Sequence, residues 1–254
     1  MRSLSYLSLV AVVLALGSQP VRAEIRSDGT DTSKNVGPQT EEPTGPCQVL
    51  WFGVQSPSEL DRLRALGLTI TQTTNPSDLT LANLSTNYNV LVIAYTGPSV
   101  IGGQQGGIQA YVNGGGGLLI HQPNALGTID YAPAAFDATI TDIFWCNSAA
   151  TIVNGAHAIT AGLTDADLSG GFDRVGAIGA GYTLLAREIG CSEPALAAGS
   201  SGSGRVVFET GNASPLSLDP GSDLYWTRVF DWLCLAGVTA TRPATWGAVK
   251  ASYR

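Results

Sequence analysis

Apolar residues in the first half of the chain form short continuous runs, separated by segments with helical spacing or turn residues. Such runs are typical of strands that are covered on both faces, as in a parallel sheet. The predicted strands are Gln48–Val54, Leu68–Thr71, Asn89–Tyr95 and Leu118–His121, and the predicted helices are Ser58–Leu66, with Ser58 as N-cap, and Gly107–Val112. This order of elements predicts a parallel sheet with covering helices.

The second half of the chain is less regular. Its predicted strands are Ala138–Trp145, Ala150–Val153, Tyr182–Ile189, Ala195–Ala198 and Arg205–Glu209. A closing amphipathic helix is predicted over Asp223–Leu235, and its inward-facing residues are Leu224, Val229, Trp232 and Leu233. The pattern indicates neither a second domain nor an internal repeat, so we expect a single α/β domain.

Both ends of the chain differ in composition from this domain. Residues 1–23 have a basic start, a short apolar stretch and small residues at a cleavage position, the layout of a secretory signal peptide. Residues 24–46 are polar and contain several Gly and Pro residues, which predicts a disordered linker. We therefore expect a secreted or periplasmic protein with a domain over residues 47–236, a C-terminal tail over 237–254 and no transmembrane segment in the mature chain.

The charge balance limits the classes of partner. The whole chain has a formal net charge of −7, and removing Arg2 and Arg22 from its 13 basic residues, against 20 acidic ones, gives −9 for the mature form. Binding to a phosphate backbone needs a cluster of basic residues, which this sequence does not contain. Nucleic acid is therefore not an expected partner, and anionic membrane surfaces are disfavoured for the same reason.

Four cysteines, Cys47, Cys146, Cys191 and Cys234, are spread along the domain. In an exported protein an even number favours two disulfides, which allows three pairings. The spacing does not match a zinc site. We expect neither a metal nor a cofactor.

Seven segments occur in an order and spacing shared with one known superfamily. They are Val90–Ile93, Ile108–Val112, Gly115–His121, Asn154–Leu163, Pro194–Ala198, Gly202–Phe208 and Phe230–Leu233. Together they resemble the class I glutamine-amidotransferase-like proteins, and more narrowly the trehalose-utilisation-type (ThuA-like) branch, with Ala158 where that branch usually has proline. The resemblance implies one flavodoxin-like or amidotransferase-like three-layer α/β domain with a mostly parallel sheet.

The resemblance also implies a missing catalytic group. True amidotransferases carry a nucleophilic cysteine in a Gly-x-Cys-x-Gly turn after the strand that here ends near Ile120. This chain has His121, Gln122, Pro123 and Asn124 at that place, with no cysteine, serine or glycine. Glutamine hydrolysis by this route is therefore not expected, because the thiolate that it needs has no counterpart.

The two histidines are the remaining candidates for chemistry. His121 lies at the predicted carboxyl end of a parallel strand, where open α/β sheets bind ligands. It could be a general base with Asp130 as its partner, a metal ligand, or a side chain that shapes the turn. If the two histidines converged on a divalent cation, Asp130, Asp137 and Asp142 would be the candidate carboxylate ligands. In the resembling family His157 belongs to a structural loop. The candidate binding residues are His121, Gln122, Asn124 and His157.

The implied fold predicts how the cysteines pair. Helices in such a layer run opposite to the strands, so the last helix ends on the side where the first strand begins. Cys47 opens that strand and Cys234 closes that helix. The expected disulfides are Cys47–Cys234 and, by exclusion, Cys146–Cys191.

Three functional hypotheses follow. The first is an exported, non-catalytic binding or assembly module, because no complete catalytic constellation is evident. The second is a hydrolase of a carbohydrate or another polar metabolite that uses His121. The third is a structural protein of the cell envelope whose terminal segment, Trp246–Arg254, binds an envelope partner.

Overall fold

The computed structural model describes the domain between residues 46 and 236. The described residues are 46–94, 98–121, 126–142, 149–170, 172, 174–211 and 222–236. The predicted signal peptide, nearly all of the predicted linker, and the tail over 237–254 lie outside them, as do Gln122, Asn124 and Cys146.

Eleven strands lie within the described residues. They are β1 (Gln48–Phe52), β2 (Thr69–Thr73), β3 (Val90–Ala94), β4 (Gly117–His121), β5 (Gly127–Ile129), β6 (Ala138–Asp142), β7 (Ala150–Ile152), β8 (Arg174–Ile178), β9 (Thr183–Glu188), β10 (Pro194–Ser201) and β11 (Gly204–Glu209). Eight form the main sheet in the order β2-β1-β3-β4-β11-β10-β9-β7. The first five of these are parallel, and the last three pair antiparallel.

The parallel strands are those with continuous apolar runs. Every residue of β3 and β4 is buried, as are four of the five residues of β1. A strand that is buried on both faces can carry apolar residues at successive positions, whereas a half-exposed strand alternates. The predicted parallel layer is therefore confirmed.

Four helices cover the sheet: α1 (Pro57–Ala65), α2 (Leu81–Asn87), α3 (Gln105–Asn113) and α4 (Asp223–Cys234). On one face, α1 and α4 pack on Val49 and Trp51 through residues such as Leu63 and Trp226. On the other face lie α2, α3 and a small antiparallel sheet of β5, β6 and β8. None of the helices in the described part of the chain is long and apolar enough to span a bilayer.

The start of α1 differs by two residues from its predicted position. Ser56, not Ser58, is the N-cap, and its hydroxyl accepts a hydrogen bond from the Glu59 amide. Pro57 then occupies the first turn, where its missing N–H costs no intrahelical hydrogen bond. Proline therefore marked the start of this helix better than the second serine did.

A disulfide joins the start of β1 to the end of α4. Cys47 and Cys234 are bonded, with their Cα atoms 5.9 Å apart, as the sequence predicted. The helix runs opposite to the strand, so its last turn returns to the edge where the strand begins. Cys191 is also disulfide-bonded, and its predicted partner, Cys146, lies outside the described residues.

Candidate functional site

The carboxyl ends of the central parallel strands bring two titratable side chains together. His121, the last residue of β4, is in register with Ala94 of β3 and with Glu209, the last residue of β11. Leu119 and Val207, two residues earlier on these strands, pack on the α4 side of the sheet. Because side chains alternate along a strand, His121 and Glu209 face that side too.

His121 and Glu209 form a buried hydrogen-bonded pair. Nδ1 of His121 and Oε2 of Glu209 share a hydrogen bond, and Oε1 of the same carboxyl group accepts a hydrogen bond from the backbone N–H of Gly211. Both side chains are 0% exposed. A buried carboxylate is costly unless such partners compensate its charge. The pair therefore satisfies most of its own hydrogen-bonding needs inside the protein.

Three aromatic side chains enclose this pair. The His121 ring lies 5.9 Å from the Trp51 ring and 5.3 Å from the Trp226 ring, both in edge-to-face geometry. Tyr225 packs on Trp226 with ring centroids 5.1 Å apart. Burial, and secondarily the Glu209 charge, raise the pKa of the Tyr225 hydroxyl well above its ordinary value. We call these five residues (Trp51, His121, Glu209, Tyr225 and Trp226) the His121 cluster.

The end of β1 packs closely against β3 beside this cluster. Gly53 follows β1 with a φ of +130°, and a Cβ atom there would lie 2.2 Å from the Ala94 carbonyl oxygen. Any other residue would be strained and would also collide with β3. Small residues therefore occupy the β1 and β3 ends of this edge, and the titratable pair occupies the β4 and β11 ends.

The carboxylate that contacts His121 is Glu209 and not Asp130. The Asp130 side chain is exposed, and its backbone carbonyl accepts a hydrogen bond from Gln109. The flanking residues, Ile129 and Tyr131, pack in the core on the opposite face of the sheet. The prediction failed because it assumed that the carboxylate would come from the loop directly after His121.

The other predicted carboxylates do not join the cluster either. Asp137 is half-exposed, and burial together with the nearby Asp130 raises the pKa of its carboxyl. It lies just before β6, in the small sheet on the opposite face. The side chain of Asp142 lies outside the described residues. Within the described ranges, no group of three or more His, Cys, Asp or Glu side chains is arranged to hold a metal ion.

His157 lies at the other edge of the sheet. Its ring is 5.2 Å from the Trp232 ring, and its Nδ1 accepts a hydrogen bond from the Ile159 amide. The Arg205 guanidinium lies 5.0 Å from the same Trp232 ring and donates to the Trp232 carbonyl. Arg205 is in register with Gly117, four residues before His121, or roughly 13 Å along the strand. The structure therefore does not bring the two histidines together.

Sequence reasoning missed Glu209, although a signal was present. Leu118-Leu119-Ile120-His121 and Val206-Val207-Phe208-Glu209 both consist of three apolar residues followed by one titratable residue. If both runs are parallel strands of one sheet and their apolar residues are aligned, their last residues lie at the same edge of that sheet. Their adjacency could not be read from the sequence, because the two residues are 88 positions apart.

Comparisons with known proteins concern the fold. No protein-family model matches the chain, and no curated protein matches its sequence. A cytoplasmic protein of Salmonella typhimurium is structurally similar over 75% of this chain and 98% of its own, with a TM-score of 0.52 and 14% sequence identity. The fold is amidotransferase-like.

Two further solved structures are similar to the chain at lower scores. A putative GMP synthase component from Thermoplasma acidophilum matches 74% of this chain and 94% of its own, with a TM-score of 0.46 and 12% identity. A β-galactosidase from a Rahnella species matches 75% of this chain and 31% of its own, with a TM-score of 0.48 and 12% identity. At these identities, similarity extends to the fold and not to an activity.

Proposed function

We propose that the chain is an exported, non-catalytic binding or assembly module built on an amidotransferase-like fold. The observation that supports this most strongly is the complete enclosure of the His121–Glu209 pair. A general base has to come within hydrogen-bonding distance of the proton that it removes. Both side chains are fully buried, so the pair acts as part of the core.

The position of the pair adds support. In the amidotransferases that the sequence resembles, the strand corresponding to β4 leads into the turn that exposes the nucleophile. Here β4 ends in His121, whose ring lies between the Trp51 and Trp226 rings in the layer beneath α4. His121 is therefore enclosed and is not itself placed as an exposed nucleophile.

Export and the narrower relationship to the trehalose-utilisation-type branch are parts of the same proposal. The Cys47–Cys234 disulfide supports export, because disulfides persist mainly in oxidising compartments. The Asn154–Leu163 segment supports the relationship. It folds as a series of turns in which the His157 carbonyl accepts hydrogen bonds from the Thr160 and Ala161 amides, the role of a structural loop.

One observation favours a second candidate function, a hydrolase. His121 contacts a carboxylate at the carboxyl edge of the sheet, and an imidazole that is oriented by a carboxylate is a common general-base arrangement. In this alternative His121 removes a proton and Glu209 orients the ring. It requires the cluster to open, so that a substrate can reach Nε2.

A thermal-shift screen distinguishes the two functions. The mature protein is heated with mono- and disaccharides and with divalent metal ions, since a ligand of the native state raises the melting temperature. The proposal predicts stabilisation by a ligand that is recovered unchanged. Turnover of a panel compound by the wild type, lost in the near-isosteric His121→Gln variant while the fold persists, would favour the hydrolase.

A further inference from the structure

Four polar atoms of the His121 cluster have no hydrogen-bond partner among the described residues. They are Nε1 of Trp51, Nε2 of His121, the Tyr225 hydroxyl oxygen and Nε1 of Trp226. All four side chains are 0% exposed, so bulk solvent does not reach these atoms. Buried polar groups in folded proteins are nearly always hydrogen-bonded, to ordered water where the protein offers no partner.

The four atoms belong to side chains in direct contact. The Trp226 ring packs on both His121 and Tyr225, and the Trp51 ring packs on His121 from another side. Unpaired atoms that were scattered through the core would each need a separate explanation. Four such atoms in adjoining side chains favour one common explanation over four separate ones.

The pattern of donors and acceptors restricts that partner. The indole Nε1 atoms of Trp51 and Trp226 can only donate. In the neutral tautomer whose Nδ1 carries the proton shared with the Glu209 carboxylate, Nε2 of His121 can only accept. The Tyr225 hydroxyl can do both. The partner must therefore accept hydrogen bonds from the indoles and donate one to the imidazole.

Water has this pattern, and single ions do not. A monatomic anion has no proton to donate to Nε2 of His121, and a metal cation cannot accept from Trp51 or Trp226. A sugar hydroxyl has the right pattern but brings a carbon frame into a cluster whose side chains are fully enclosed. Buried water typically makes about three hydrogen bonds, well within the four that this cluster offers.

We infer that ordered water is a permanent part of the His121 cluster, bound as a structural ligand among the two indoles, the imidazole and the Tyr225 hydroxyl. The water accepts hydrogen bonds from Trp51 and Trp226 and donates to His121. By donating a hydrogen bond to Nε2, the water holds the imidazole in the tautomer whose Nδ1–H bonds to Glu209. This inference concerns the closed native core and does not depend on which of the two proposed functions is correct.

Nuclear magnetic resonance tests the inference on the full mature chain. The protein carries ¹⁵N-labelled tryptophan, and nuclear Overhauser effects between the indole protons and water are recorded. The indole Nε1 protons of Trp51 and Trp226 should show cross-peaks at the water frequency, and the sign of these peaks should be that of water with a long residence time. The half-buried Trp232 supplies the reference for short-lived surface water. Absence of long-lived cross-peaks at both buried indoles would overturn the inference.

A Tyr225→Phe variant adds a test that depends on the direction of a stability change. If the hydroxyl bonds to water, its removal lowers the melting temperature, by about 2–4 °C for a domain of this size. If the hydroxyl has no partner, its removal relieves a desolvation penalty, and the melting temperature stays level or rises. The latter result contradicts the inference.

The Tyr225→Phe variant also tests whether the Trp51 cross-peak arises from the Tyr225 hydroxyl proton and not from bound water. Tyrosine hydroxyl protons exchange with water and can imitate a bound water in such spectra. The Trp51 cross-peak should therefore persist in Tyr225→Phe, because water is still held by the indoles and the imidazole. Its disappearance would assign the signal to the hydroxyl and would also overturn the inference.

Discussion

The two edges of the parallel strands each hold one histidine, in opposite surroundings. At the carboxyl edge His121 is fully buried and bonds to Glu209. At the amino edge His157 is half-buried against Trp232, with the Arg205 guanidinium on the same ring. Arg205 and Glu209 belong to one strand, β11, which therefore places a cation near one histidine and an anion beside the other. The two histidines therefore differ in their burial and in the charge of the nearest side chain from β11.

The edges also differ in what holds them together. The amino edge has a covalent bond, Cys47–Cys234, between β1 and α4. The carboxyl edge has a buried, hydrogen-bonded histidine–carboxylate pair that is enclosed by aromatic rings. A disulfide acts largely by restricting the unfolded chain, whereas the pair stabilises the fold only while both partners are present. Removing the disulfide at one edge, or one member of the pair at the other, should therefore lower the free energy of unfolding for different reasons.

The largest expected effect is loss of the covalent link. The Cys47→Ala, Cys234→Ala double variant opens a bond between residues 187 positions apart, which should lower the free energy of unfolding by about 5 kcal/mol in the chain-entropy model. Urea unfolding of oxidised protein measures this loss. Hydrogen exchange should increase first near Trp232, at the amino edge. A loss below about 1 kcal/mol would mean that packing of α4 already holds this edge.

The next largest effect is expected from breaking the buried pair. His121→Ala leaves the Glu209 carboxylate buried without its ring partner, which should cost about 3–5 kcal/mol in urea unfolding. His157→Ala is the matched control at the other edge and should cost about 1 kcal/mol or less, because that ring is half-exposed.

A double variant separates charge from packing in this comparison. Replacing both His121 and Glu209 with leucine removes the charge and keeps an apolar filling, so most of the stability lost in His121→Ala should return. If the double variant is no more stable than His121→Ala, the pair's contribution comes from its shape and not from the compensation of a buried charge.

The parallel half of the fold was predictable because burial leaves a strong pattern there. Strands β1, β3 and β4 are nearly continuous apolar runs, and their order along the chain implied a covered sheet. Helix α2 was missed because its sequence, Leu81–Asn87, buries only Leu84 and has no side-chain N-cap hydrogen bond. Strand β5 has only three residues, and strand β8 contains a glycine and pairs with β6, which lies far from it in the sequence.

The candidate site was only half predictable, for a similar reason. His121 was identified from its position at the end of an apolar run, which is a local signal. Its partner Glu209 depends on β4 and β11 being neighbours, which only the folded sheet determines. The enclosing rings of Trp51 and Trp226 come from β1 and α4, and aromatic residues in a sequence do not indicate which polar group they will surround.

The smallest expected effect concerns pH and the amino edge. Burial, and secondarily the nearby Arg205, hold the pKa of His157 below its ordinary value of about 6.5. The unfolded chain therefore binds a proton at this position at a higher pH than the folded chain does. As pH falls through about 6.5, His157 should reduce the free energy of unfolding. Urea unfolding at several pH values should show a smaller loss in His157→Gln, since the other titrating groups are shared.

An Arg205→Met variant separates the two causes of this shift. Removing the cation while keeping an aliphatic chain over Trp232 should raise the pKa of His157 only part of the way to its ordinary value, because burial is the larger cause. Titration of the His157 ring proton by nuclear magnetic resonance measures this directly. An unchanged pKa would show that the cation on β11 does not act on His157. The two edges would then differ in the burial of their histidines alone, and not in the charge that the shared strand presents to each.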